Sequence, residues 1–165
     1  MSQALALAKK SQGQVRPNPS VGALIVKDGV IVGKGFHAIS GEGHAEIIAL
    51  KDAGLLANDA DLYVTLEPCN HQGKTPPCTN KIISAGISNV YIAMKDPNPL
   101  VNGLGIECLK NNGINVTSGI MEDEAKKLNL GFINRMTKSR PYIRSKIAMS
   151  VDGKTSLFNG KSQWI

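Results

Sequence analysis

The sequence predicts an α/β protein, a three-layer α/β/α sandwich built around a mixed sheet of about five strands. Two observations carry this prediction. Residues 21–36 form two apolar runs around Asp28-Gly29, a pattern typical of a β-hairpin. From residue 44 onward, helical and β-rich segments alternate, as they do where parallel strands are joined by crossover helices. The order of elements therefore favours a sheet that is antiparallel at its start and parallel in its later strands.

The elements in the first part of the chain follow from local patterns. The short apolar run that ends at Lys9 and Lys10 predicts a helix with basic residues in its last turn, where they interact favourably with the helix dipole. Residues 44–53 repeat apolar side chains at helical spacing, and Gly54 ends that helix. Residues 61–66 are rich in β-forming side chains and predict a strand.

The rest of the chain continues the alternation of helix and strand. We expect helices over 78–86, 106–113 and 121–137, and strands over 89–94 and 114–119. The 121–137 helix has acidic residues first and basic residues last, in accord with the helix dipole. The core of the sheet is expected at residues 24–26, 62–66 and 90–93.

Length and composition narrow the class of protein. A chain of 165 residues is long enough for one domain with a hydrophobic core. It contains no apolar run of membrane-spanning length, and its first residues turn basic after the apolar stretch, the reverse of a secretory signal. Its three cysteines, an odd number, argue against a disulfide scaffold. These features predict a cytoplasmic protein with no membrane partner.

The net charge of +6 does not indicate a nucleic-acid partner, because of where the charge lies. Residues 140–165 carry a net charge of +4, which leaves +2 for residues 1–139, whose lysines are scattered. Nucleic-acid binding needs a basic stripe or patch. A mild positive charge suits a small phosphorylated substrate at least as well, and this is the partner that we expect.

Three residues form a donor set suited to zinc. His44, Cys69 and Cys78 supply one imidazole and two thiolates, and three protein ligands leave the fourth tetrahedral position to water, as in catalytic zinc sites. Pro68 and Pro77 precede the two cysteines and restrict the backbone that carries them. The alternatives are that each cysteine is a buried thiol or that the two form an oxidised pair.

A closed, structural zinc site would need a fourth protein ligand, for which His37, His71 and Cys108 are the candidates. Cys108 lies in an apolar helical segment, where a free cysteine is commonly a small buried hydrophobe. The open site is favoured because Glu46 lies two residues after His44. A carboxylate beside zinc-activated water can take its proton and pass it to a leaving group.

The spacing of His44 and Glu46 sets a condition on the local fold. Two residues rotate by about 200° in a regular helix, so the pair shares no helical face. The arrangement works if His44 stands at the very start of its helix, where the backbone is free to turn. The alternative is that Glu46 is a first-turn carboxylate that interacts only with the helix dipole.

These residues resemble the zinc-dependent cytidine deaminase superfamily, whose signature is His-x-Glu followed by Pro-Cys-x-x-Cys. The chain departs from that signature because eight residues, not two, separate its cysteines. The segment "PCNHQGKTPPC" is similar to one in the deaminase domain of the bifunctional riboflavin-biosynthesis deaminase–reductase family. Five further blocks, at residues 16–26, 35–46, 96–105, 140–155 and 161–165, are similar to that family too.

The resemblance implies a fold of the cytidine deaminase type and a specific reaction. In that family the deaminase converts 2,5-diamino-6-(5-phosphoribosylamino)pyrimidin-4(3H)-one to 5-amino-6-(5-phosphoribosylamino)uracil and releases ammonia. Carried over by motif, His44, Cys69 and Cys78 are the ligands of one zinc ion, and Glu46 is the proton shuttle.

The resemblance also implies substrate contacts. Asn18 would bond the pyrimidine edge, and His37 and His71 would line the pocket. Lys74 would meet the ribose or the phosphate, while Asp96 and Asn98 would form the far wall. Each has a structural alternative: the two asparagines stand in Asn-Pro turns, Asp96 caps the following loop, and Lys74 is merely solvated.

The same family predicts two domains, a zinc-dependent deaminase over residues 1–139 and the truncated beginning of a reductase domain over 140–165. NADPH would bind only in the missing part of that reductase, so we expect a fragment without reductase activity. An unpaired strand expected at 142–150 allows a homo-oligomer. Two other functions stay open: a nucleoside, nucleotide or tRNA-adenosine deaminase, and a catalytically inactive, zinc-stabilised interaction domain.

Overall fold

The computed structural model describes residues 1–39, 41–71, 76–99 and 101–162. Within these residues, no helix is long and apolar enough to cross a bilayer. The helices are α1 Ser2–Lys10, α2 Ala45–Ala53, α3 Cys78–Ser84, α4 Leu104–Asn111, α5 Glu122–Leu128 and α6 Leu130–Lys138, and a 3₁₀ turn at Gly54–Ala57 follows α2. The strands are β1 Gly22–Lys27, β2 Val30–Phe36, β3 Asp61–Leu66, β4 Asn89–Met94 and β5 Asn115–Ser118.

The strands form one mixed sheet in the order β2-β1-β3-β4-β5, which confirms the predicted fold class. The β1 strand pairs antiparallel with both β2 and β3, whereas β4 pairs parallel with β3 and β5. The hairpin turn between β1 and β2 has positive φ at both central residues, Asp28 at 50° and Gly29 at 77°. That geometry matches the right-handed twist of paired strands, and Asp-Gly is a favoured sequence for it.

Glycines in the hairpin bring helices close to both faces of the sheet. A Cβ on Gly22 would overlap the backbone of α1, and Cβ atoms on Gly33 and Gly35 would overlap the backbone of α2. Gly33 and Gly35 pair across the strands with Ile25 and Ala23, which alternate with Gly22 in direction. The helices α1 and α2 therefore cover opposite faces, which makes the three layers that the sequence predicts.

The core of the sheet lies where the sequence places it. Leu62, Val64, Val90 and Ile92 are fully buried, and Ile25 on β1 is buried beside them. These side chains belong to one apolar cluster that includes small residues from α2. The exceptions are Val26, near the hairpin turn, and the stacked pair Tyr63 and Tyr91, all of which are only half-buried.

The single helix predicted over 121–137 is wrong, because Asn129 divides it into α5 and α6. Asn129 has a non-helical backbone at φ −120° and ψ 23°. Its buried amide accepts a hydrogen bond from the Ser20 backbone N–H at 2.8 Å and donates one to the Ser20 carbonyl at 3.0 Å. This pair of bonds ties the break to the loop before β1 and lets α6 take a direction of its own.

The strand predicted over 142–150 is also absent from the described residues, which contain no helix or strand between 141 and 162. Ile143 and Ile147 are exposed by 83% and 69%, so this segment buries little apolar surface against the sheet. A single extended segment gains no ladder hydrogen bonds, and an isolated strand is therefore not stable without a partner.

Candidate active site

The predicted zinc ligands come from three different elements and meet beyond the carboxyl end of the central strand, β3. His44 is the residue just before α2, with extended backbone at φ −67° and ψ 160°, which confirms its expected position at the helix start. Cys69 follows β3, and Cys78 is the first residue of α3. The carboxyl ends of parallel strands and the starts of the helices that follow them are where α/β proteins commonly bind ligands.

The distances between the donor atoms fit a zinc ion. The Nδ1 atom of His44 lies 3.1 Å from the Cys78 Sγ and 3.6 Å from the Cys69 Sγ. All three donor atoms lie within 4.8 Å of one another. Two ligands of a tetrahedral zinc, with bonds of about 2.0 to 2.3 Å, stand about 3.5 Å apart. The observed spacing therefore matches what the metal needs, and the donor set is one that zinc prefers.

Hydrogen bonds link the protonation states of the three side chains in the cluster. A hydrogen bond from Cys78, opposed by burial and aided by His44, lowers the pKa of the Cys69 thiol to about 4. The same hydrogen bond raises the pKa of Cys78, because that thiol is the donor. The Cys69 thiolate in turn raises the pKa of His44. Zinc binding at this cluster would therefore release the protons held by Cys78 and His44, because the metal binds thiolate and neutral imidazole.

The candidates for a fourth protein ligand lie outside this cluster. Among the residues that the structure describes, no further His, Cys, Asp or Glu joins His44, Cys69 and Cys78. Cys108 is half-buried on α4, and His37 makes its hydrogen bonds elsewhere. This arrangement favours an open coordination position over a closed structural site.

Glu46 lies in the first turn of α2 and is 97% buried, which is unusual for a carboxylate. Burial raises its pKa to about 7, and the neighbouring His44 acts in the opposite direction. The carboxylate also interacts with the Cys78 side chain, so it borders the donor cluster directly. A first-turn carboxylate that served only the helix dipole would be expected to face solvent.

A cavity of about 240 Å³ lies over the cluster. His44, Glu46 and Cys69 line its base. Residues expected to contact the substrate line its walls: Asn18, His37, His71, Asp96 and Asn98. Lys74, the remaining residue of the predicted set, lies outside the described residues. The structure thus places the described members of the set around one cavity, and their individual roles stay predictions.

Asn18 and His37 form a hydrogen-bonded pair in the cavity wall. The Asn18 Nδ2 lies 3.0 Å from the His37 Nε2, and the His37 Nδ1 lies 3.2 Å from the Gly43 carbonyl oxygen. Burial lowers the pKa of His37, so the neutral ring is favoured. A neutral ring that donates from Nδ1 to the carbonyl accepts at Nε2. The Asn18 amide is therefore oriented with its oxygen free to accept from a ligand.

Asp96 and Asn98 belong to the loop after β4. An Asp96 carboxylate oxygen accepts a hydrogen bond from the Asn98 backbone N–H at 2.8 Å, so the predicted structural role of Asp96 as a loop cap is present. Burial raises the pKa of Asp96 to about 6. The capping bond and the position in the cavity wall are compatible, because a carboxylate can accept several hydrogen bonds.

Glu67 is a buried residue that the sequence analysis did not single out. Its carboxylate accepts four backbone hydrogen bonds of 3.0 to 3.2 Å from residues of the loop after β4 and the start of α4. The donors are Asp96, Gly103, Gly105 and Ile106. A Cβ on Gly105 would overlap the Pro68 carbonyl, so the loop packs tightly on the zinc-site segment. Glu67 thus joins the cysteine segment to the cavity wall.

The helix α6 supplies a second group of cavity residues that the sequence analysis missed. Phe132, Arg135 and Met136 line the cavity from one side. They recur at positions i, i+3 and i+4, which places them on one helical face. That spacing was visible in the sequence, but the direction of the face depends on the break at Asn129.

Comparisons with known proteins agree with this geometry. The family model for the cytidine and deoxycytidylate deaminase zinc-binding region matches residues 1–94. The riboflavin biosynthesis protein RibD of Aquifex aeolicus is 53% identical over 165 residues, which is 100% of this chain and 46% of that protein. RibD of Escherichia coli is 50% identical over the same length, 45% of that protein. The chain thus spans less than half the length of these curated relatives.

A solved structure shows the same agreement in three dimensions. It is a diaminohydroxyphosphoribosylaminopyrimidine deaminase/5-amino-6-(5-phosphoribosylamino)uracil reductase from Thermotoga maritima, 48% identical in sequence. The match has a TM-score of 0.95 and covers 100% of this chain and 48% of that chain. The matched family model, the fold and the His/Cys/Cys cluster agree. The chain belongs to the family with a cytidine and deoxycytidylate deaminase zinc-binding region.

Proposed function

We propose that the chain deaminates 2,5-diamino-6-(5-phosphoribosylamino)pyrimidin-4(3H)-one hydrolytically to 5-amino-6-(5-phosphoribosylamino)uracil and ammonia. The observation that carries this proposal is the buried Glu46 beside the His/Cys/Cys cluster at the base of a cavity. The choice of substrate is supported by the similarity to the Thermotoga maritima deaminase/reductase and to the RibD proteins.

His44, Cys69 and Cys78 would hold one zinc ion, with the Nδ1 and Sγ atoms as ligands. When bound, zinc would supply Lewis-acid activation of a water molecule at neutral pH. The walls of the cavity would hold the aminopyrimidine over the His44, Cys69 and Cys78 side chains. The Asn18 amide oxygen would accept from the pyrimidine edge, and Asp96 and Asn98 would meet it from the opposite wall.

Glu46 would move the protons, as a glutamate does in zinc deaminases in general. Its carboxylate accepts a proton from the attacking water and delivers it to the ring nitrogen beside the reacting carbon. It then carries the second water proton to the exocyclic amine, and the carbon–nitrogen bond breaks to release ammonia. The water oxygen stays on the ring as the new carbonyl. His71 would line the cavity beside the substrate, and Lys74 would meet the ribose or the phosphate.

The test separates proton transfer from metal binding. Glu46→Gln should retain zinc by metal quantitation and lose ammonia release by about 10²- to 10⁴-fold, since a neutral amide cannot act as the general base. The exposed Glu124→Gln should behave as the wild type and serves as the matched control. Full activity of the Glu46→Gln protein would refute the proposed role of this carboxylate.

Substrate panels distinguish the proposed reaction from its alternatives. The zinc-loaded protein should release ammonia from the diaminopyrimidine phosphate and not from cytidine, deoxycytidylate or tRNA adenosine. Turnover of one of these three without turnover of the pyrimidine phosphate would favour a nucleoside, nucleotide or tRNA deaminase. Zinc binding with turnover of none of them would favour an inactive interaction domain.

The remaining assignments are part of the same proposal. We assign the deaminase to residues 1–139 and the beginning of a reductase domain to 140–165, supported by relatives about twice as long as this chain. NADPH is then expected to bind outside residues 1–139. A cytoplasmic location, the absence of a nucleic-acid partner and self-association also remain proposals.

A further inference from the structure

The cavity over the zinc-binding cluster continues into a second, larger groove along α6. Asn18, Phe132 and Arg135 line both spaces, so Arg135 stands where the two meet. A ligand whose reacting ring lies over the cluster can therefore extend past Arg135 toward the groove. The residue at this junction determines which chemical groups the extension can carry.

The Arg135 side chain is held in place by neutral groups, a backbone carbonyl and an aromatic ring. Its Nη2 donates a hydrogen bond to the Pro17 carbonyl oxygen at 2.9 Å, and the guanidinium carbon lies 5.8 Å from the centre of the Phe132 ring. In the part of the chain that the structure describes, no carboxylate lies within ion-pair distance of it. The N–H groups on the rest of the guanidinium remain available in a fixed fork, the geometry that binds phosphate oxygens.

The charge of the groove points to the same class of ligand. Its described lining includes Arg16, Lys127, Arg135, Arg140 and Arg144, and no aspartate or glutamate among the described residues lines it. The cavity over the cluster differs from the groove, since it is lined by the carboxyl groups of Glu46, Glu67 and Asp96 as well as by Arg135. A ligand that fits both spaces has a polar, neutral ring at one end and an anionic group at the other.

We propose that Arg135 binds the phosphoryl group of the substrate and thereby sets the preference for phosphorylated aminopyrimidines over the corresponding ribosides. This inference rests on the proposed function, because it concerns the same substrate. Arg135 on α6 would then be a second cation for this part of the substrate, beside Lys74, which the sequence resemblance associates with the ribose or the phosphate. The binding energy acts on the part of the substrate remote from the reacting carbon.

The test compares two substrates with a set of variants. The zinc-loaded protein is assayed for ammonia release from the diaminopyrimidine phosphate and from its dephosphorylated riboside. Arg135→Ala should lower kcat/KM for the phosphate by roughly 10- to 100-fold, mainly through KM, because a hydrogen-bonded charge pair is lost. Turnover of the riboside should change by less than about threefold, because that compound lacks the group that Arg135 binds.

Two further variants control for charge and for structure. Arg135→Lys should recover part of the lost kcat/KM, since it keeps the charge and loses the fork. Lys138→Ala removes an exposed cation from the same helix that lines neither space, and both substrates should then behave as with the wild type. Added salt should raise KM for the phosphate in the wild type more than in Arg135→Ala.

The outcomes separate this inference from the proposed function. If Arg135→Ala lowers kcat/KM equally for the phosphate and for the riboside, Arg135 only supports the loop at Pro17. If the kinetics with the phosphate are unchanged, Arg135 does not bind the phosphoryl group. Either result overturns the inference and leaves the proposed function standing. Failure of the wild type to turn over either compound refutes the proposed function, and the inference with it.

Discussion

Replacing Glu67 by glutamine removes the charge that anchors the loop after β4. The carboxylate accepts two backbone N–H groups at each oxygen, with bonds of 3.0 to 3.2 Å. Glutamine keeps one accepting oxygen and places an NH₂ group where the other stood. Two buried N–H groups then lose their acceptor and face a donor. At about 1.5 to 3 kcal/mol for each hydrogen bond to a charged group, the expected loss is about 3 to 6 kcal/mol.

Urea unfolding measures the free energy of unfolding, and amide hydrogen exchange shows where the protein is weakened. We expect faster exchange at the four N–H groups that Glu67 accepts: Asp96, Gly103, Gly105 and Ile106. The exposed Glu124→Gln should stay within about 0.5 kcal/mol of the wild type. If Glu67→Gln unfolds within about 1 kcal/mol of the wild type and these amides keep their protection, the carboxylate is not the anchor.

Two further variants test the cavity wall and the break between α5 and α6. Burial raises the pKa of Asp96 to about 6, so its contribution to stability is fully present below its unfolded pKa of about 4 and is lost as pH rises through 6. The Asp96→Asn side chain does not titrate. Between pH 4 and pH 7, the free energy of unfolding measured in urea should therefore fall by up to about 3 kcal/mol more in the wild type than in Asp96→Asn. Parallel pH profiles of the two proteins would contradict this prediction. Asn129→Ala leaves the buried Ser20 N–H and carbonyl without partners and should lower the free energy of unfolding by about 2 to 4 kcal/mol. Asn129→Asp should lose less, because it keeps the acceptor. A loss below about 1 kcal/mol in Asn129→Ala would show that the two hydrogen bonds to Ser20 do not hold the break in place.

The parts of the fold that the sequence predicts correctly have local causes. The Asp28-Gly29 turn and the β-rich run at 61–66 carry their signals within a few residues. The break at Asn129 has no such signal, because the Ser20 backbone that it binds is 109 residues away in sequence. The wrong strand at 142–150 has a similar cause. An extended, β-prone segment becomes a strand only where another strand pairs with it.

The candidate site likewise contains some residues that can be recognised in the sequence and others that cannot. The two cysteines and His44 are recognisable because thiol and imidazole are side chains that bind zinc, and Glu46 because it lies two residues after His44. Glu67 is invisible in the sequence, because its partners are backbone N–H groups, which every residue but proline provides. Arg135 is an ordinary basic residue in a helix until the direction of α6 places it at the cavity.

The attachment of the β4–α4 loop to Glu67 has a consequence for engineering new substrate ranges. The carboxylate fastens the loop at Asp96 on one side and at Gly103 and Gly105 on the other, while residues 97–102 lie between these attachments. Asn98 and Val101, which line the cavity, belong to that span. Replacing 97–102 with segments of other length and composition would reshape the wall and leave the metal-binding residues in place. The loop is therefore a segment that can be exchanged while the residues at the bottom of the cavity keep their positions.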